Sequence, residues 1–419
     1  MVRQMNRGKQ AVWILAGAGI VTLATAIAAA IGVGSQDGPA DYTQWRGKNR
    51  DGAASGFSAP ASWPETLTRR WKVEVGPGYA TPLVAGNRVY VFTRRGDDEV
   101  MMSLDVGTGD AIWQTAYPAP YVAGKPAGAH GVGPKATPTL HDGKLFTLGI
   151  SGIVAAFDAA SGKLLWRTSS PSEPPYFSAA SSPAADGPLV LVHPGNYGPL
   201  TALDASTGVV KWTAGDGGFF ASPIIATIAG RRQAITVTQT NVIGVALPEG
   251  NVLWQHPWSG RAGGTMPVLS GDLVIVSGLD RGVAAFTPTN RDGHWMVEPR
   301  WETKDVSMYL SNPVLVGDTL FGLSHRASGQ YFALDTRNGA TLWRSEPRQA
   351  TNSAVVKAGE WLLLLNDDAE LLVARSSRSA FDVIRRYIVA DSATWAQPAI
   401  SGNRVFIKDV SSLTLWTFD

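Results

Sequence analysis

One unit recurs along this chain, its openings 40 to 56 residues apart. A Ser/Thr-Pro pair starts an apolar strand, and a Gly-containing turn leads into a second. A third strand ends in Leu-Asp, and a tight turn leads to a short strand closing on Trp. The clearest copy runs from Thr137-Pro138 through Asp142-Gly143, Phe157-Asp158 and Ser161-Gly162 to Trp166. Openings stand at Pro82, Pro138, Pro183, Pro223, Pro267, Pro313 and Pro398, with Ala354 in place of the eighth proline. Four short strands need about 40 to 45 residues, the period of a propeller blade. The longer first interval holds an insertion around Pro118 to Pro134.

The closing aromatics are Trp71, Trp113, Trp166, Trp212, Trp254, Trp301 and Trp343, with Tyr387 in the seventh copy. Trp71 has no opening strands before it, and the last opening, at Pro398, has no closing strand after it. The segment Arg69 to Val75 is therefore expected to complete the final blade, which removes an unpaired edge. The expected fold is all-β, an eight-bladed β-propeller over residues 69–419 whose N-terminal strand closes the last blade; seven blades is the alternative.

Within the units, Asp105-Gly109-Trp113, Asp158-Gly162-Trp166, Asp204-Gly208-Trp212 and Asp335-Gly339-Trp343 keep one spacing. An Asp side chain can accept backbone N–H groups in the turn it opens, and Gly supplies positive φ. The Trp offers a flat surface for packing between blades. The fourth copy keeps Gly250 and Trp254 and reads with Pro248 at the Asp position; the fifth and seventh are more degenerate.

Residues 1–34 differ from the rest. Arg3, Arg7 and Lys9 precede an uncharged apolar run from Ala11 to about Val33. About 20 such residues span a bilayer, and leading positive charges hold the N-terminus in the cytoplasm. One N-terminal transmembrane helix is the favoured reading, placing the body on the periplasmic side of the inner membrane. Small-residue sites around Ala26 to Ala30 leave a cleaved signal peptide open. Residues 35–68 form an extended lead-in. There Trp45, Arg46 and Arg50 suggest a strap across the propeller surface, with the Trp buried and the arginines paired to acidic residues.

The repeated Ala/Ser-Leu-Asp-x-x-Thr/Ser-Gly-x-x-x-Trp motif resembles the quinoprotein, or PQQ-binding-like, β-propeller repeat. Quinone-dependent alcohol dehydrogenases and non-catalytic BamB-like propellers share that repeat. The segments Trp45-Arg46-Gly47, Arg50-Asp51-Gly52, Gly133 to Pro138 and Ala221-Ser-Pro223 add to the resemblance. It implies either of two functions, since fold does not carry activity. One is a scaffold for protein partners in the envelope. The other is a dehydrogenase using pyrroloquinoline quinone and calcium on an alcohol or sugar, and a carbohydrate or small-ligand module remains a third possibility.

The dehydrogenases' vicinal disulfide is impossible here, because the chain has no cysteine, and no Glu/Asn/Asp calcium set carries over. The missing cysteine also departs from a lipoprotein signal. The acidic run Asn366-Asp367-Asp368-Ala-Glu370 reads as a solvated hairpin turn. His141-Asp142 and Ser324-His325 lack the spacing of a metal site or a triad. No catalytic residue, metal ligand or cofactor contact is assigned. A net charge of +2 offers no field for nucleic acid.

Binding is expected at the mouth of the channel, where the segments leading into the opening strands converge. Those segments carry Tyr79, His130, Lys135, Phe177, Phe219, Phe220, Arg261, Tyr309, Asn312, Asn352 and Trp395. Such a ring could take a planar cofactor, a sugar or a peptide end, or could simply plug the top of the core.

Overall fold

The computed structural model describes residues 41–419 except 123, 125–127, 174, 196, 219 and 259–262. The apolar run 11–33, and with it the anchor or signal reading, lies outside the described residues. Among those that are described, no helix is long and apolar enough to cross a membrane.

Eight four-stranded antiparallel sheets make up the body. In chain order, blades 1 to 7 occupy residues 83–118, 139–167, 184–214, 224–257, 268–303, 314–344 and 353–388. In each, the strands lie side by side in sequence order. Blade 8 is composite: Ala399–Ser401, Arg404–Lys408 and Ser412–Thr417 are completed by Thr68–Glu74 from the other end of the chain. Their register sets Thr68 against Thr417, Trp71 against Leu415 and Glu74 against Ser412. The ring closes where the offset of openings and closings requires, a closing Trp71 standing before the first opening and an opening at Pro398 after the last closing.

Second and third strands are buried on both faces, as in Leu189–Val192 and Leu200–Asp204, because each blade meets a neighbour on either side. Fourth strands alternate or face water, as in Ala111–Pro118. The core is accordingly a set of layers between blades. Phe146, Leu148, Val190 and Val192 fill the interface of blades 2 and 3; Ile275, Ala285, Leu320 and Phe332 fill that of blades 5 and 6.

The closing tryptophans link these layers. The rings of Trp71, Trp113, Trp166, Trp212 and Trp301 lie over the turn glycine of the following blade, and several indole N–H groups donate to a carbonyl there. Trp71 donates to Val106 O at 3.1 Å, Trp166 to Ala205 O at 3.1 Å and Trp301 to Thr336 O at 2.7 Å. At Gly162, φ is +76° and a Cβ would come within 2.4 Å of the Trp113 ring, so both backbone and space demand glycine. The aspartates act as expected; Asp105 Oδ1 accepts from the Gly107 and Thr108 amides. Trp113 differs, since its indole nitrogen has no acceptor, and the Tyr90 hydroxyl donates to the Ala159 carbonyl instead.

One reading is corrected. The Asp position of the fourth copy is Ala246, not Pro248: the Gly250 amide donates to Ala246 O just as the Gly109 amide donates to Asp105 O. In the degenerate fifth copy, the short motif gives way to a long hairpin, Gly282–Arg291 with His294–Thr303. There Trp254 turns its N–H to Gln233 Oε1 at 2.6 Å, within its own blade. The seventh closing aromatic, Tyr387, donates to Pro64 O at 2.7 Å, so the lead-in supplies what a turn supplies elsewhere.

Two buried groups titrate in opposite senses. Glu99 accepts from the Tyr117 hydroxyl and the Ile150 amide, each at 2.6 Å, tying blade 1 to the loop of blade 2. Burial nevertheless raises its carboxyl to about 7. His193 bridges Gly198 O and Thr236 Oγ1, and burial lowers it to about 4. A raised carboxyl means that the folded state holds the proton longer. Its contribution is full below the unfolded value and is lost as pH rises toward 7. The His193 contribution is full above its unfolded value and is lost as pH falls toward 4.

Trp71→Ala, at the ring's closure, is expected to cost about 3 to 5 kcal/mol in denaturant unfolding; a loss below about 1 kcal/mol would contradict its role. Glu99→Gln removes one of the two opposed slopes. Its stability relative to the native protein is expected to rise by about 2 to 3 kcal/mol between pH 5 and 7, and a pH-independent difference would refute the assignment.

Candidate functional site: the channel and its mouth

The openings of the blades are linked around the axis by a belt of hydrogen bonds. The Thr81 amide donates to Thr137 Oγ1 (3.0 Å), the Thr137 amide to Ser182 Oγ (2.9 Å) and the Ser182 amide to Ser222 Oγ (2.8 Å). Between blades 5 and 6 the Met266 amide donates to Asn312 Oδ1 at 2.8 Å. At Thr137, Ser182, Ser222 and Asn312 the side chain before the proline thus satisfies an N–H of the preceding blade. A donor facing the channel would otherwise lack a partner.

The lead-in lies against these inner strands, not across the outer surface. Tyr42 pairs with Val84 of blade 1, and the Leu140 amide of blade 2 donates to Thr43 O. The chain turns at 44–50, where Arg46 and Arg50 have φ of +63° and +57°. It returns along blade 7, where the Ala54 amide donates to Lys357 O and the Lys357 amide to Gly52 O, both at 2.8 Å. It leaves past blade 8, where the Ser58 amide donates to Gly402 O. Asp41 and Ser58 therefore both sit at inner-hairpin turns, at the end of the inner strands away from the mouth. Residues 41–58 form a hairpin inserted in the channel.

The two arginines hold this hairpin, and their partners are backbone carbonyls, not the expected carboxylates. Arg50 Nη1 donates to Pro183 O at 2.7 Å and Nη2 to Ser182 O at 3.1 Å, in blade 3. Arg46 Nη2 donates to Pro313 O in blade 6 and to Asp51 O. Inner strands have no sheet neighbour on the axial side, so their carbonyls need donors, and a guanidinium offers five in a rigid fork. Burial lowers Arg46 to about 10 and Arg50 to about 9, and both stay charged at neutral pH. Trp45 is only half-buried, at the tip of the hairpin.

Above the tip remains a cavity of about 280 Å³. Seven of the ring residues line it: Tyr79, His130, Lys135, Phe177, Phe220, Tyr309 and Trp395. Trp45 forms part of its floor, with Ser178, Ala180 and Leu310. Asn312 and Asn352 line a smaller adjoining space, where Asn312 serves the belt and Asn352 accepts from the Ser311 hydroxyl at 2.8 Å. Phe219 and Arg261 lie outside the described residues. The His130 and Trp395 rings meet edge to face at 4.5 Å, and Phe177 and Phe220 are perpendicular at 6.4 Å.

The segment Gly133 to Pro138 sets Lys135 in this wall. Pro134 O accepts the Tyr79 and Ala80 amides, and a Cβ on Gly133 would fall 2.3 Å from Pro77 O. Burial among the rings lowers Lys135 to about 8. Burial, and then the Lys135 charge, lower His130. Burial, and then Asp409, raise Tyr79. A cation among aromatic faces is equipped to bind.

Other candidates are structural. Both nitrogens of His325 are engaged, by Ser307 O (2.8 Å) and Asp280 Oδ1 (3.1 Å), so Ser324 has no base. His141 faces Gly187 O and its neighbour Asp142 in a turn. The acidic run is a hairpin turn as expected, though less solvated. Asn366 is buried and accepts the Tyr331 hydroxyl at 2.5 Å, and Asp367 accepts the Asn352 amide. Among the described residues no group of His, Asp and Glu is arranged to hold a metal.

Closed ring, Asp-Gly-Trp turns and Ser/Thr-Pro belt together define a propeller of the PQQ-like repeat class. A family model described as outer membrane protein assembly factor BamB matches residues 61–132 and 122–345, and the chain belongs to that family. The BamB protein of Yersinia pestis is 24% identical over 316 residues, 72% of this chain and 66% of that protein. That of Burkholderia pseudomallei is 26% identical, over 71% of this chain and 85% of its own. The crystal structure of Moraxella catarrhalis BamB superposes with a TM-score of 0.59 at 16% identity, covering 84% of this chain and all of that one. A quinohemoprotein alcohol dehydrogenase from Comamonas testosteroni reaches 0.66 at 12% identity, covering 90% and 80%. These two likenesses speak for the fold alone.

Arg50→Met takes donors from the Ser182 and Pro183 carbonyls and is expected to lower unfolding free energy by about 3 kcal/mol. Arg50→Lys should recover only part, since an ammonium lacks the fork. Full recovery by lysine would contradict the carbonyl-fork assignment.

Proposed function

We propose that this chain is a non-catalytic scaffold of the bacterial envelope, an exported propeller that presents its faces and blade edges to protein partners. The apolar run 11–33 then tethers it to the periplasmic side of the inner membrane, or is cleaved after export. The observation that carries this reading is the inserted hairpin. The chain fills its own axis with Tyr42 to Ala54, so the body is a rigid disc with little internal space. Membership of a family described by its role in outer membrane assembly supports the same direction.

Outer strands offer edges for pairing with a partner's strand. Several carry exposed apolar side chains, among them Ile388 at 72% exposure and Val210 at 53%. The dehydrogenase reading rests on likeness of fold, and no residue set among the described residues of the mouth favours it.

Two measurements test the proposal. Pyrroloquinoline quinone with calcium is expected to leave the thermal midpoint of the full chain unchanged, since a ligand specific to the folded state must raise it; a saturable rise would overturn the non-catalytic reading. Photo-cross-linkers at Val210, Met296 and Ile388 are expected to give a discrete protein adduct in intact cells from at least one position. No adduct from any of them would contradict partner binding at the edges.

A further inference from the structure

The fully buried cations of this protein are met by acceptors of its own. Arg46 and Arg50 donate to carbonyls of blades 6 and 3, Arg94 to Gly96 O and Ala119 O, and Lys408 to Asp409 O and Val410 O. Lys135 breaks the pattern. It is half-buried in the mouth cavity, yet among the described residues no carboxylate or carbonyl lies within bonding distance of its ammonium. Its backbone is nonetheless rigidly placed, between the close approach of Gly133 to Pro77 and the Thr137 link to Ser182.

The lining adds shape to the charge. The rings of Trp45, Phe177, Phe220, Tyr309 and Trp395 offer flat apolar faces within a space of about 280 Å³. That volume suits one ring-sized body. A single ammonium neutralises a single negative charge, whereas a phosphate dianion would bring a second charge into an aromatic pocket.

The geometry points to a carboxylate-binding site in the channel mouth, in which Lys135 pairs with the carboxylate of a flat or apolar monoacid whose body packs between Phe177, Phe220, Tyr309 and Trp395. The acid can be a free small molecule or the side chain of a partner's inserted loop. This site goes beyond the scaffold reading, and its failure is distinguishable from that reading's, since the edge positions that test partner binding lie outside the cavity and the quinone, a tricarboxylate, is not the monoacid assigned to Lys135.

Binding should follow the protonation of Lys135. His130, lowered by burial and by Lys135, is neutral above pH 7, and Tyr79, raised by burial, keeps its proton there. Tyr309 also faces the cavity, Asp367 and Asp409 act from the turns behind His130 and Tyr79, and Arg46 lies below, held by Pro313 O. Lys135, near 8, is the group poised to lose its charge between pH 7 and 9.

The test titrates the full chain with benzoate, with uncharged benzamide, and with the capped peptide acetyl-Phe-Glu-Phe-amide, following heat release by calorimetry. At least one acid is expected to saturate and to bind at least tenfold more tightly than benzamide. Its affinity should fall about tenfold per pH unit above about 8. Lys135→Gln should lose that preference with an unchanged thermal midpoint, and Lys135→Arg should keep it. Benzoate binding alone would identify a small acid as the source, and peptide binding alone a partner side chain. Saturation by neither acid, equal binding of benzamide, or full binding by Lys135→Gln would each overturn the proposal.

Discussion

The inner strand of every blade turns one backbone edge toward the axis, where no further strand can pair with it. Buried N–H and C=O groups left in that state would each cost about 1 to 3 kcal/mol. Eight such edges converge in one channel, so the fold depends on how they are satisfied. The chain uses two devices. Ser, Thr and Asn side chains at the openings accept the amides of neighbouring blades, as Thr137 and Ser182 do. The hairpin 41–58 then supplies donors from within, with Arg50 against blade 3, Arg46 against blade 6 and backbone pairs to blades 1 and 7.

From that arrangement the remaining features follow. A hairpin that fills the channel stops below the mouth, and the half-buried Trp45 at its tip makes part of the floor of a cavity lined by ring residues. The two guanidiniums stay charged because burial lowers them only to about 10 and 9, and two carbonyls accept from each. Between blades, apolar layers and Trp-over-Gly contacts give each sheet a fixed seat on the next. The composite eighth blade then makes disruption of any one seat a matter for the whole ring, since the first described strand, Thr68–Glu74, and the last, Ser412–Thr417, are hydrogen-bonded partners.

Much of this was legible in the sequence because its signals are local. Proline openings and tryptophan closings mark blade boundaries within a few residues of chain, and their offset, with a closing first and an opening last, betrayed the composite blade. Mouth residues such as Tyr79, Lys135 and Trp395 were legible because they directly precede openings. What escaped is long-range. The partners of Arg46 and Arg50 are carbonyls 267 and 133 residues away, and a carbonyl carries no side-chain signature. The same holds for the serine and threonine belt, whose residues read only as the first half of each Ser/Thr-Pro strand opening. Trp45 beside Arg46 in a segment with no core of its own was the available sign of an inserted hairpin. Pro248 misled because proline in a turn looks like a motif position, whereas hydrogen bonding assigns that role to Ala246.

Hydrogen exchange resolved to single amides tests the inserted hairpin most directly. The amides of Tyr42, Ala54, Leu140 and Lys357 each donate across the boundary between hairpin and inner strand. They should exchange as slowly as those of the blade interiors, such as Leu191 and Leu363, because opening them requires opening the ring. Exchange of the Tyr42 and Ala54 amides at the rate of an open loop, with Leu191 and Leu363 still protected, would mean that the channel is not closed by its own chain.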